Sequence, residues 1–268
     1  MHQRRMAFRG LDVLVITLKP DFDLSELRRI FPGADVNVQP GVDLRKVSTL
    51  SLARAGLVSP TGYTTLQQGR KWHFELNSRG GVGLAHANRL AMEQSDRPLL
   101  LLEDDFRIVD TRSTVADCKA LLQHMDEFDM AVFGARFRGD SRSGLSPASF
   151  LSNDWRFAKG HFFLTHCVIY SPRGRQRVRE HLRAQPLDMQ IDSLFGFLAE
   201  ISHTRLLLQV KNHTVVQSVH VSHIQNDTCA WCDVSPTFTY RNVVPCVVLL
   251  VIGTHIALWS QRYRVPGH

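Results

Sequence analysis

The sequence predicts an α/β domain on a mostly parallel mixed sheet, followed by a hydrophobic segment near the C-terminus. Three observations carry that reading. Strand-length apolar runs alternate with stretches of helical periodicity through the first half of the chain. One of them, PLLLLEDDFRIV at 98–109, is apolar until it stops on three carboxylates, Glu103, Asp104 and Asp105. Close to the other end, VVPCVVLLVIGTHIALW at 243–259 carries no formal charge.

Taken in order, 11–18 reads as a strand, 24–31 as a helix and 35–39 as a strand. Residues 84–94 are helical, 98–102 form a strand, 115–125 a helix and 130–133 another strand. Strands alternating with helices imply a parallel sheet covered by helices. In such sheets ligands collect beyond the carboxyl ends of the strands. The acidic triplet stands at such an end. No repeat, low-complexity tract or clear linker interrupts the chain before about residue 235.

The N-terminus, MHQRRMAFRGLDVLVITLKP, is basic and then apolar. Asp12 cuts the apolar part to a strand-like length, too short for the core of a signal peptide. The run 243–259 reads either as a membrane span, closed by Trp259 and followed by Arg262 and Arg264, or as a buried terminal helix. The membrane reading is preferred. It gives a domain over 8–235, a span over 243–259 and a short basic tail over 260–268. With no signal sequence ahead of it, a span so near the end inserts after translation, leaving the domain on the cytosolic side.

Composition narrows the partners. The chain has 268 residues, 44% of them hydrophobic, enough for a full core, and a net charge of +7. That charge favours anionic ligands. It lies in modest clusters, at Arg4–Arg5 and Arg173–Arg179, without the interleaved aromatics of an RNA-binding sheet, so nucleic acid is not expected. The five cysteines are an odd number without the spacing of a disulfide framework. Cys229 and Cys232 form a lone CxxC that reads as redox-active, as half of a zinc site, or as two ordinary thiols. The sequons at Asn212 and Asn226 matter only in a luminal protein.

Three carboxylates at the end of a buried strand need water, a cation or hydrogen-bond donors. A solvated acidic turn is one reading. The alternative is a hard divalent cation whose oxygen ligands are shared with a diphosphate. Period-two alternation turns Glu103 and Asp105 to one face and Asp104 to the other.

Four ordered segments carry a family resemblance. SRGGVGLAHANRLAMEQSDRPLLLLEDDFRIV (78–109) has a glycine-rich turn at Gly80, Gly81 and Gly83, Ala85-His86 entering a helix, and an apolar strand closing on Glu-Asp-Asp. FLTHCVIYSPRGRQRV (163–178) is a strand followed by a helix, LDMQIDSLF (187–195) a second acidic motif, and Gln217 precedes Ser222-His223-Ile224. Together they resemble glycosyltransferase family 25, the lipopolysaccharide and collagen galactosyltransferase-like group. In this chain Ala85-His86 stands where Ser-His is usual and His223 where an aspartate is.

The resemblance implies a GT-A-like nucleotide-binding fold and a UDP-sugar donor, galactose-like, held through Mn²⁺ or Mg²⁺. It further implies inverting transfer to a hydroxyl of a glycan or glycoconjugate acceptor. In that picture Asp105 binds the metal, Glu103 and Asp104 assist the metal or the donor ribose, and His223 or His220 supplies a later ligand or phosphate contact. Asp192 is the expected base, or else the N-cap of a helix over 193–200. His86 is read as a donor-site residue or as one packed at the helix start. Lys159 lines the sugar pocket or sits in a plain loop. The alternative for the whole protein is a membrane-tethered binding or scaffold protein that keeps the fold without turnover.

Overall fold

A computed structural model describes residues 7–69, 72, 74–76, 78–136, 145–160 and 162–218, all within the unit Met1–Thr228. The chain opens with β1 (Asp12–Thr17), α1 (Ser25–Ile30) and β2 (Asp35–Pro40), then adds three helices, α2 (Thr49–Arg54), α3 (Pro60–Gln68) and α4 (Arg79–Glu93). Strands β3 (Leu99–Glu103) and β4 (Phe106–Ile108) lead into α5 (Thr111–Gln123), followed by β5 (Met130–Val132), β6 (Ser146–Pro147), β7 (Trp155–Ala158) and β8 (Cys167–Tyr170). Helices α6 (Pro172–Ala184) and α7 (Ile191–Ile201) precede β9 (Leu206–Gln209) and β10 (Val215–Gln217). The strands and helices expected in the first half are all present, as is the strand and helix of 163–178.

Eight strands form one sheet in the order β2-β1-β3-β8-β5-β9-β7-β6, while β10 and β4 make a separate antiparallel ribbon. The pairings β1–β2, β1–β3 and β5–β9 are parallel, and β8 and β7 run against their neighbours. Six of the eight strands therefore point the same way. The protein is mixed α/β with a large, mostly parallel sheet.

The apolar runs are continuous because both faces of the sheet are covered. In β1, Leu14 and Ile16 face one core while Val13 and Val15 face the other; in β3, Leu99 and Leu101 oppose Leu100 and Leu102 in the same way. The first core packs against α4, α6 and α7, and the second against α1 and α5. Local chemistry starts the helices. Ser48, Ser59, Ser78, Asp110 and Ser171 each cap one by accepting a backbone N–H three residues on, and Pro60 and Pro172 follow their caps at the first helical position.

The glycine-rich segment is not a turn: Gly80, Gly81 and Gly83 lie inside α4, which begins at Arg79. Glycine is needed at 83 because a Cβ there would stand 2.0 Å from the Val42 carbonyl oxygen.

The basic cluster on α6 is paired with acidic side chains of the fold. Arg173 and Arg177 hold the fully buried Asp129, Arg175 reaches Asp12, Arg179 meets Asp96 and Arg183 meets Glu93. Arg175 is 1% exposed, and its guanidinium also donates to the carbonyls of Ala91, Met92 and Arg97. That network ties α6 to α4 and to the start of β1.

Among the described residues no helix is long and apolar enough to cross a membrane. The run 243–259, Cys229, Cys232 and Asn226 lie outside the described residues.

Candidate functional site

From β1 the chain moves outward to β2, then passes back over β1 to enter β3 on its other side. The direction of connection reverses between β1 and β3. In open α/β sheets the crevice beyond the strand ends at that reversal is the ligand site. Here it is flanked by Thr17 at the end of β1, by Lys19 just beyond it, and by Glu103, Asp104 and Asp105 at the end of β3.

The inside-out alternation of β3 decides where each carboxylate goes. Asp104 continues the series Leu100, Leu102 and meets Thr17, which continues Val13, Val15 on the same face of β1. Thr17 Oγ1 donates to Asp104 Oδ2 at 2.7 Å and accepts the Lys19 N–H at 3.0 Å, while Lys19 Nζ stands 3.8 Å from the same carboxylate. Glu103 continues Leu99, Leu101 toward α7. Thr165 Oγ1 donates to its Oε1 at 3.0 Å, and its own N–H donates to the His166 carbonyl. Asp105 is gripped by the ribbon: Gln217 Nε2 donates to its Oδ2 at 2.6 Å, and the Ser218 N–H donates to its carbonyl.

Asp192 lies in the first turn of α7 and is half-buried. It is not the N-cap. Gln190 holds that position without a side-chain bond, because the helix starts one residue ahead of Asp192. The Asp192 carboxylate instead accepts the Ser193 N–H at 2.8 Å. Burial raises its pKa to about 6, against the pull of the Ser193 and Leu164 amides. Leu164 has φ 76°, an uncommon conformation for a branched residue. Glu103 is pushed further, to about 8, first by burial, then by the charge of Asp105, with Asp192 and Asp104 adding to it and Thr165 opposing. Two neighbouring carboxyls thus separate: near neutral pH Asp192 is the ionised one and Glu103 retains its proton.

The structure brings Glu103, Asp104, Asp105 and Asp192 to one edge of the sheet. His86 and Lys159 are placed elsewhere. The His86 imidazole lies 3.5 Å from Arg89 on its own helix, and burial together with Arg89 lowers its pKa; no bond joins it to the carboxylates among the described residues. Lys159 is exposed and follows β7, whose last residue, Ala158, pairs with Leu206 at the beginning of β9. Because β7 runs against β9, Lys159 leaves the sheet at the edge opposite the carboxylates. His220 and His223 lie outside the described residues.

Several residues of this edge escape a reading of the sequence. Thr17 and Lys19 carry no motif, and Thr165, although inside the 163–178 segment, is not singled out until the sheet order is known. His166 is 1% exposed and lies against Gly134 and the Val215 carbonyl; burial lowers its pKa to about 4, so the ring is neutral. It stands where β8 meets the ribbon. Gln217 is visible only as part of the family pattern.

The donor set suits a hard cation in part. Among the described residues no three His, Cys, Asp or Glu side chains converge on one point. The repulsion from Asp105 that adds to burial in raising Glu103 would nonetheless be relieved by a divalent cation, and such ions commonly take one or two carboxylates and complete their shell with water and phosphate oxygens.

No family model and no curated protein matches the chain. Among solved structures it is similar to the mannose-1-phosphate geranyltransferase from Thermus thermophilus, at 11% identity over 78% of this chain and 76% of that one, with a TM-score of 0.36. A likeness of that size carries no argument about function, and the resemblance to family 25 stands on its motifs alone.

Proposed function

We propose that this protein is a glycosyltransferase that moves a sugar from a UDP-sugar to a hydroxyl of a glycan or glycoconjugate, with inversion at the anomeric carbon. The observation that carries it is the meeting of the Glu103–Asp105 carboxylates with Asp192 at the reversal point of the sheet.

In this reading the nucleotide lies across the ends of β1 and β3. Asp104, oriented by Thr17, faces the ribose hydroxyls, and Lys19 adds positive charge beside the phosphates. Asp105, fixed by Gln217, and Glu103 would hold Mn²⁺ or Mg²⁺, which supplies Lewis-acid stabilisation of the leaving diphosphate. Asp192 accepts the proton of the acceptor hydroxyl as its oxygen bonds to the anomeric carbon. The bond from that carbon to the β-phosphate oxygen breaks, and UDP leaves with the bonding pair. A base with its pKa near 6 is ionised at neutral pH and still basic enough to take a proton as the bond forms.

UDP release from a panel of UDP-sugars, with Mn²⁺ and with EDTA, tests this. Metal-dependent release from one of them is the expected result. Binding of UDP without release from any donor, across acceptors, would favour the scaffold alternative.

A further inference from the structure

The segment between α3 and α4 carries an aromatic surface that the proposed chemistry leaves unused. Trp72 is 46% exposed, and its ring lies parallel to that of Phe74, with centroids 6.5 Å apart and planes within 4°. The exposed indole offers a ligand an apolar face with a polar edge.

Its position is fixed from below. The backbone N–H of Trp72 donates to Glu75 Oε2 at 2.9 Å. The Phe74 carbonyl accepts the Gln190 N–H at 3.0 Å, and Glu75 bridges antiparallel to Met189. Gln190 is two residues ahead of Asp192. The aromatic segment is therefore bonded to the backbone that leads directly into the first turn of α7, next to the carboxylate cluster.

We propose that the Trp72–Phe74 surface is the acceptor subsite, a platform on which a neutral pyranose ring stacks with its hydroxyl presented to Asp192. The proposal rests on the glycosyltransferase reading and names the side from which the acceptor enters. The chemistry selects the occupant. A pyranose has an apolar face of C–H groups that matches an indole and a rim of hydroxyls that carboxylates can accept from. Asp192, two residues beyond Gln190, is placed to accept from such a hydroxyl, and a cyclic sugar seated on Trp72 gains contact area without ordering a long chain.

The test uses the full chain, Trp72→Ala and Trp72→Phe. Binding to an array of immobilised neutral glycans and to methyl hexopyranosides in solution is measured beside UDP–Mn²⁺ affinity, thermal stability and retention on phosphatidylcholine vesicles. The expected result is a loss of saccharide affinity of about tenfold or more in Trp72→Ala, largely restored in Trp72→Phe, with melting temperature and UDP affinity unchanged. Wild-type saccharide binding that survives Trp72→Ala overturns the platform. So does a wild type that binds UDP–Mn²⁺ but no saccharide, or a variant that loses only vesicle retention. Loss of UDP binding in the wild type with Trp72-dependent saccharide binding intact would instead overturn the transferase reading and leave a glycan-binding surface.

Discussion

Asp192 and Glu103 differ in what a proton does to each. Replacing Asp192 by Asn keeps volume and removes basicity, so transfer should fall by about 10² or more while UDP affinity is kept. At saturating Mn²⁺ the wild-type rate should rise through about pH 6 and then level. Stability follows the same group with the opposite sense: a carboxyl whose folded pKa lies above the ordinary value favours the fold at low pH and loses that contribution as pH rises through about 6. Asp192→Asn should accordingly melt higher than the wild type at about pH 8 and show no such gain below about pH 4, as calorimetry would reveal. Glu103 makes a separate statement. With its pKa raised to about 8, a cation that bonds to it must displace a proton, so Mn²⁺ affinity should strengthen from about pH 6 to about pH 8 and binding should release protons. Titration calorimetry in two buffers of different ionisation enthalpy measures that release. Proton-neutral binding would take Glu103 out of the metal site.

At the level of elements, the site depends on how closely the β4–β10 ribbon docks on the sheet. Gly134 has φ 65°, and a Cβ there would stand 2.3 Å from the Val215 carbonyl oxygen and 3.0 Å from His166 Nε2. Gly134→Ala should therefore cost about 1–3 kcal/mol, push the ribbon away and loosen Gln217 from Asp105. Thermal melts would show the first effect and a weakened UDP–Mn²⁺ affinity the second. The elements themselves are legible where apolar period and length agree, as in DVLVIT and PLLLLE, because both faces of those strands are buried. The partners of the carboxylates are not. Thr17 and Thr165 become site residues only through the strand order, Gln217 shows only as part of the family pattern, and strand order is not written in local periodicity. The glycines of 78–83 look like a turn because glycine weakens helices, yet Ser78 caps that helix and the close approach of Val42 requires the missing Cβ. The true place of Lys159 is hidden for a similar reason, since nothing local tells that β7 enters the sheet reversed.

For the whole molecule, the arginine cluster of α6 is no ready-made anion site, because its five guanidinium groups are each paired with Asp12, Glu93, Asp96 or Asp129. The apolar run 243–259 predicts that the full chain stays with the membrane fraction through carbonate extraction. Recovery in the aqueous fraction would overturn that expectation. The reversed strand β8, set between β3 and β5, has a consequence in time. Thr165 and Glu103 are 62 positions apart, Thr17 and Asp104 87, and Gln217 and Asp105 112. Each contact closes a long loop before it gives anything back, so the carboxylate edge belongs to the slow, late part of folding. A nascent chain that has emerged only as far as β5 holds all three strand-end carboxylates without Thr165, just ahead of β8, and Gln217 of the ribbon, which later orient Glu103 and Asp105. Nucleotide binding should therefore appear during synthesis abruptly, once Gln217 has cleared the ribosome, and not in proportion to the length of chain made.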